Sequence, residues 1–592
     1  MESLSKLYQQ KVDRYSAELH KIRQRVNLLA ISRLACFAAL GYSIYLCISD
    51  FQFFSLFTTL SLFIVFIFLV RIYFNLKDKK TLIQKLLFIN DNELNIIKGE
   101  ANQFDNGKEF LSHESYFDDL DVFGQNSLYH LLNRTTTSHG SSKLSNLLKQ
   151  TFSKKEDILD QQEAIKILSL EIDNRQLLSA YGLLNQEKAG NLYGILDWLK
   201  IDGNLHKKTW LRIIRWALPL YNIAAILFYL ETDNYYFLAI GIIASWSIIG
   251  PYSKYINHQH ALVTEKQKIL QQYADILKIL GNIHPQQSVL LKELNTTSAN
   301  AHQSIKQLSQ LTSLFDQRLN MVVNILLNSL ALYDIQCIIN LEKWKEKNKA
   351  NFEKYIDCVG KIESLCSLAC FAHNHSSYSY PVLIDNELSI YGSQLAHPLI
   401  AEKETVANDF AIGKGNKLQL LTGSNMSGKT TFLRTVGINL LLAQCGAPVC
   451  ASSFSFKPMH ILSSIRVSDS LQEHTSYFMA ELKRLQQIIL QLQNGEPALV
   501  LVDEILRGTN SEDKTQGSEE FIKKLLQYNC LSLFATHDLA LSKLENDFPR
   551  KVSNYCFESI IENGELSFDY KLQSGVAKNK NASFLMKKMG II

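Results

Sequence analysis

The chain opens on a charged helical pattern and then loses its charge. From about Val26 to Phe74 nearly every position is apolar, and the run splits only at Ser49-Asp50-Phe51-Gln52. Leu34 to Ile48 carries no charged residue, and neither does Phe53 to Val70. A bilayer span takes roughly 20 mostly apolar residues, and each half reaches that length with its flanks. A second pair follows, Trp210 to Leu230 and Tyr235 to Tyr255, joined by Glu231-Thr232-Asp233-Asn234. A short polar link between two long apolar arms predicts a helical hairpin. The late start and the pairing exclude a cleaved signal peptide. The alternative is that the arms are buried core helices of a soluble protein.

Charge around the arms suggests an orientation. Lys21, Arg23, Arg25 and Arg33 precede the first pair, and Arg71, Lys77, Lys79 and Lys80 follow it. Lys207, Lys208, Arg212 and Arg215 stand at the start of the second pair, and Lys254 at its end. Both links carry acid and no Lys or Arg. The positive-inside rule then predicts a multi-pass protein of the inner or plasma membrane, with the bulk of the chain cytoplasmic. A further apolar stretch, Met321 to Leu341, holds Asn324, Asn328, Asp334 and Asn340 and reads as a packed soluble helix.

The intervening segments, rich in Leu, Lys, Gln and Glu with apolar spacings of three and four, predict helix. From about Asp385 the texture changes. Short apolar runs at Leu418–Leu421, Ala498–Val502 and Leu531–Ala535 alternate with helical segments, which predicts an α/β domain on a mostly parallel sheet. The expected organisation is an N-terminal helix (1–25), a first hairpin (26–76), a helical core (77–206), a second hairpin (207–255), a helical lever (256–395) and an α/β domain (396–592).

Composition changes this picture little. Of 592 residues, 46% are apolar and 20% charged, which excludes a disordered chain. The net charge of +4 argues against a strongly basic nucleic-acid coat protein. Lys343, Lys345, Lys347 and Lys349 form a run that reads as a solvated helix face. The ten cysteines include no C-x-x-C pair, so neither zinc nor a disulfide framework is expected.

Candidate chemistry concentrates in the α/β segment. Gly423-Ser424-Asn425-Met426-Ser427-Gly428-Lys429-Thr430 matches G-x-x-x-x-G-K-[ST], after an apolar strand and before a helix. Glycines let such a loop turn tightly and aim N–H groups at phosphate oxygens, and the helix N-terminus adds partial positive charge. Lys429 is the candidate contact to the β- and γ-phosphates, with Thr431 next along the helix. Thr430 and Asp503 are the candidate Mg²⁺ ligands. Glu504, beside Asp503 at the end of a second strand, is the candidate general base or water-positioning group. His537, ending a third strand, is the candidate γ-phosphate sensor.

These pieces resemble the MutS family of DNA mismatch-repair ATPases. Residues 422–437, TGSNMSGKTTFLRTVG, are similar to that family's TGPNMxGKST. Residues 469–482 resemble its D-x-L-x-x-x-x-S-x-F-x-x-E-L/M element at Asp469, Leu471, Ser476, Phe478 and Glu481. DEILRGTNSED (503–513) resembles DEIGRGTSTYD, and ATHD (535–538) fits the histidine motif. His397-Pro398 and Asn408-Asp409 fit further landmarks. LLNRTTTSHGSSKLSNLL (131–148) resembles the opening of the family's core domain at Thr135, Thr137, Gly140 and Leu144.

The resemblance implies ATP and Mg²⁺ as cofactors, a homodimer with composite ATP sites, and DNA as a partner. It also implies that the segment Arg507-Gly508-Thr509-Asn510-Ser511 reaches the partner's nucleotide, with Asn510 where the family usually has Ser. One departure limits the transfer. An apolar hairpin stands where mismatch-repair members carry a mismatch-reading domain with its Phe-x-Glu wedge, and Phe557-Glu558 lies in the wrong region. Direct mismatch recognition is therefore not expected. No nuclease module is visible before Ile592. The competing readings are an ABC-type transporter half and an ATP-gated membrane scaffold. Against the transporter, no LSGGQ-like signature precedes Asp503, and two separated hairpins make a poor translocation path.

Overall fold

The computed structural model describes residues 2–49, 52–111, 116–150, 154–184, 193–385, 387–466, 477–506, 510–562, 565–578 and 591. Asp50 and Phe51 of the first link, Asp469, Leu471 and Ser476, and Arg507, Gly508 and Thr509 lie outside the described residues.

The first apolar stretch folds as two long helices, Glu2–Ser49 and Phe53–Ile97. At 1.5 Å per residue each is roughly 70 Å long, more than twice the hydrocarbon thickness of about 30 Å. Exposure divides them. Toward the link, Leu28, Leu34, Phe37, Phe57, Phe63 and Phe68 lie open on the surface. Away from it, Leu19, Ile22 and Val26 bury against Ile83, Leu86 and Ile89. The boundaries expected at 25/26 and 76/77 fall inside these continuous helices, neither of which holds a proline to stop it. What changes there is the surroundings, from protein to open surface. The Tyr8 hydroxyl donates to Asn374 Oδ1 at 2.8 Å, tying the charged end of this hairpin to the body.

The second hairpin is Thr209–Thr232 and Tyr236–Ile249, continued by a 3₁₀ turn into Ser253–Val263. Among the described residues, four helices are long and apolar enough to cross a membrane, Glu2–Ser49, Phe53–Ile97, Thr209–Thr232 and Tyr236–Val263, or five if the bent pair Met321–Ala331 and Tyr333–Asn374 is taken as one span.

The stretch Met321–Leu341 differs from its reading as one packed helix. A half-helix, Met321–Ala331, ends at Leu332 with φ of 49°, and the Tyr333–Asn374 lever helix leaves it at 84°. Asparagines hold both ends of the half-helix. Asn320 caps the half-helix by accepting from the N–H groups of Val322 and Val323, and Asn328 Oδ1 accepts the Asp334 N–H at 2.9 Å. The lysine run is not a uniform solvated face either. Lys343, Lys347 and Lys349 are exposed, but Lys345 is buried, donates to the Trp198 carbonyl at 2.6 Å and sits 4.6 Å from that ring's centroid. Burial pulls its ammonium down to about 8.

The lever helix organises the helical body. Near its C-terminal end the buried Glu363 carboxylate accepts from the N–H and hydroxyl groups of Thr136 and Thr137. A Cβ at Gly140 would lie 2.1 Å from Glu363 Oε2, so only glycine lets the Ser138–Lys149 helix pack there. Thr137 is also the N-cap of that helix. The Thr-Gly pattern of this segment is thus a docking seat for the lever.

Beyond the lever the chain builds two sheets. Strands β1 (Val382–Leu383), β2 (Ile390–Leu395), β3 (Asn408–Ile412) and β5 (Ser453–Phe456) form one, in the order β1-β5-β2-β3. The other comprises β4 (Leu418–Gly423), β6 (His460–Ser464), β7 (Ala498–Asp503), β8 (Cys530–Ala535), β9 (Val552–Glu562) and β10 (Glu565–Ser574). Its order is β10-β9-β4-β8-β7-β6, parallel except for the β9–β10 pair. β4, β7 and β8 are buried along their whole length, which is why they read as continuous apolar runs. Alignment of parallel strands brings their C-terminal ends to one edge, where the candidate residues lie.

Candidate functional site

The loop after β4 turns on left-handed backbone at Met426 (φ 67°) and Gly428 (φ 104°) before the Lys429–Gln444 helix begins. Gly428 is needed for its left-handed conformation, and a Cβ there would also press on the Tyr570 ring at 3.2 Å. Lys429 is buried, and its ammonium donates to the carbonyls of Gly423 and Ser424 at 2.9 and 2.8 Å. Folded back in this way, it braces the loop from which it rises. The Ser427 hydroxyl is buried with no hydrogen-bond partner among the described residues. Asn425 and Met426 are exposed at the tip.

The Thr430 hydroxyl donates to Asp503 Oδ2 at 2.6 Å, joining the loop helix to the end of β7. Glu504 follows with φ of 54°, and its N–H donates to Ala535 O at 2.9 Å. Leu506 is also left-handed (φ 58°), and its N–H is held by Glu481 Oε1 at 2.8 Å. Strain of this kind persists only where neighbours fix it. Glu481, which sequence reasoning singled out without a role, is one of the groups that fix it. The Glu504 carboxylate pairs with Lys514 of the Ser511–Leu525 helix. His537 stands at the end of β8. Burial, then the neighbouring Lys429 charge, holds its imidazole below the usual value, against the Glu504 carboxylate and a hydrogen bond to the Gly423 backbone, which raise it. Its neutral form therefore dominates at neutral pH.

One cavity of about 920 Å³ is lined by residues 425–432 together with Asp503, Glu504 and His537. Lys429, Thr430, Thr431, Asp503, Glu504 and His537 thus converge, whereas Gly423 and Ser424 form the loop's stem. Asn510 lies apart. It is the exposed N-cap of the Ser511–Leu525 helix, accepting the Asp513 N–H at 2.8 Å.

The cavity also recruits residues that the sequence did not flag. Tyr570 reaches it from an irregularity in the β9–β10 pairing between Phe568 and Leu572. Asn408 holds that bulge, donating to Tyr570 O at 3.0 Å and accepting the Leu572 N–H at 2.8 Å. The Asn-Asp landmark is therefore structural at its Asn. Lys514 had no signal beyond a charge in a charged helix.

The Lys514 ammonium occupies the Glu504 carboxylate that a water molecule would otherwise meet. If Glu504 acts on water at this site, Lys514→Met is expected to raise any nucleotide hydrolysis several-fold while leaving nucleotide affinity unchanged, read by phosphate release and equilibrium binding.

His397 also lines the cavity. Burial, then the Arg434 charge, pushes its imidazole down to about 4. Its folded value lies below its unfolded value near 6.5, so the unfolded chain takes up the proton first. Stability present above about pH 6.5 is lost as pH falls toward about 4, by at most about 3 kcal/mol. His397→Gln should flatten this part of the acid melting curve, measured as Tm against pH.

Comparison with known proteins fits this geometry. Residues 419–589 match the family model of MutS domain V. "DNA mismatch repair protein MutS" of Thermotoga petrophila is 32% identical over 250 residues, covering 42% of this chain and 31% of that protein. "MutS protein homolog 4" of Homo sapiens is 32% identical over 244 residues, covering 38% and 25%. "DNA mismatch repair protein MutS" of Clostridioides difficile is 33% identical over 229 residues, covering 37% and 23%. The chain thus spans less than a third of the length of these curated relatives.

Proposed function

We propose that the protein is a membrane-anchored, MutS-like ATPase in which ATP binding closes a homodimer and hydrolysis reopens it. The observation that carries this reading is the 2.6 Å contact between Thr430 and Asp503 on the wall of a cavity shared with Lys429, Glu504 and His537. The donor set suits a magnesium nucleotide. A hydroxyl and a carboxylate already meet where a hard divalent cation takes oxygen ligands, and the buried hydroxyl of Ser427, a loop residue that lines the cavity, has no partner among the described residues. Thr430 and Asp503 would hold Mg²⁺, which when bound neutralises phosphate charge.

On this reading Lys429 exchanges its loop carbonyls for phosphate oxygens. Glu504 orients the attacking water and takes its proton. His537, kept neutral, senses the γ-phosphate. Asn510 and the preceding residues complete the partner's site. The likeness to DNA mismatch-repair proteins supports DNA as the ligand embraced by the helical arms, with the two hairpins seating the protein in a bilayer. The test is ATP turnover by the full chain in phosphatidylcholine vesicles, with and without homoduplex, mismatched and branched DNA. Stimulation by DNA supports coupling to DNA. Turnover indifferent to all three, with no salt-dependent DNA binding, would favour an ATP-gated scaffold.

A further inference from the structure

We propose that residues 319–332 form a re-entrant wedge. It dips into the lipid leaflet nearest the helical body, beside the second hairpin, with acyl chains as its partner. The proposal rests on the membrane reading of that hairpin.

Three observations carry it. The first is the exposed face. Leu319, Met321, Val322, Ile325 and Leu326 are all exposed, and no charged residue occurs from Leu319 to Tyr333. The half-helix packs against both arms of the second hairpin, whose Leu220, Ile223, Ile240 and Ile243 are likewise exposed.

The second is the treatment of the broken backbone. Ending a helix at Ala331 frees its last carbonyls. Water would satisfy them on a soluble surface, but in hydrocarbon the protein must do so itself. Here the hairpin and the first turn of the lever helix supply the donors. Asn222 Nδ2 donates to Ser329 O at 3.2 Å and to Leu330 O at 3.0 Å. Ser245 Oγ donates to Ser329 O at 2.8 Å, and Gln336 Nε2 to Ala331 O at 2.9 Å. Trp246 Nε1 donates to the Ser329 hydroxyl at 3.0 Å. A Cβ at Gly241 would lie 1.9 Å from Asn222 Oδ1, so the second arm makes room for this cap.

The third is the closed base. Arg318 on entry and Asp334 on exit are joined by an ion pair at 3.0 Å, and Arg318 also donates to Asn257 Oδ1 at 2.9 Å. The Tyr333 hydroxyl donates to Leu314 O. Entry and exit therefore lie together beside the helical body, and the apolar segment between them returns to the side from which it came. The lever helix starts at this exit, so its membrane end is anchored in the lipid.

The test places the photoreactive residue p-benzoylphenylalanine at Val322, Leu326, Phe57 or Val289 of the full chain, each alone, in phosphatidylcholine vesicles. Phe57 reports on the first hairpin, and Val289 is an exposed residue of the body. Lipid adducts found by mass at Val322, Leu326 and Phe57, but not at Val289, are expected. Adducts at Phe57 with none at Val322 and Leu326 would overturn the wedge and leave the membrane reading standing. So would adducts at Val322 and Leu326 that join a second protein chain instead of lipid. Lipid adducts at none of the positions would remove the membrane reading and the wedge together.

Discussion

Replacing Lys429 with alanine is expected to abolish ATP turnover, lowering the rate by about a thousandfold or more. Phosphoryl transfer asks little covalent chemistry of the protein, and its barrier falls through positioning and through positive groups aimed at developing charge. Removal of one such preorganised donor costs about 10²–10³ in rate at comparable sites, and a full charge in a buried site acts at least as strongly. Lys429 has this placement, buried under its loop with its ammonium on the Gly423 and Ser424 carbonyls. Those two bonds also brace the loop, so the variant should bind nucleotide more weakly as well. Phosphate release and a nucleotide-binding isotherm separate the two effects. Undiminished hydrolysis by Lys429→Ala would show that the reaction occurs elsewhere.

Residues that chemistry ties to consecutive positions were the readable part of this chain. The 423–430 loop, the Asp503-Glu504 pair and His537 each end a strand whose own apolar run predicts it, and parallel pairing carries the three ends to one edge. Long spacing hid the rest. Tyr570 reaches the cavity because Asn408, 162 positions away, holds a bulge that no local pattern announces. The half-helix can stop at Leu332 because its last carbonyls are taken by Asn222, which lies 107 positions before Ser329 and 108 before Leu330. Read locally, Asn324 and Asn328 marked one packed soluble helix, whereas the buried Asn328 accepts the Asp334 N–H across the break. Lys345 misled in the opposite direction. Its place in a run of lysines suggested solvent, but the Trp198 ring and carbonyl beneath it set its position. Polar residues within apolar or charged stretches are thus where pattern and tertiary partner part company.

Glu504→Ala tests the other half of the site, and its expected result is a separation of binding from turnover. The carboxylate stands one residue beyond Asp503, on backbone fixed by Ala535 O and, two residues on, by Glu481. Its removal leaves the Thr430–Asp503 contact and the Lys429 loop intact, so ATP and Mg²⁺ should still bind. Without the group that orients water, hydrolysis should fall by about 10²–10⁴. If ATP binding closes a dimer and hydrolysis opens it, the variant should accumulate as a closed dimer under ATP, seen as an ATP-dependent increase in mass by light scattering of the solubilised protein. Lys514 sharpens the comparison. Its ammonium loses its partner in Glu504→Ala, whereas Lys514→Met frees the carboxylate. The two variants should therefore move turnover in opposite directions while nucleotide affinity stays close to that of the native chain. Loss of nucleotide binding in Glu504→Ala would instead assign the Glu504–Lys514 pair to holding the Ser511–Leu525 helix against the sheet, a structural role that leaves the hydrolytic water to another group.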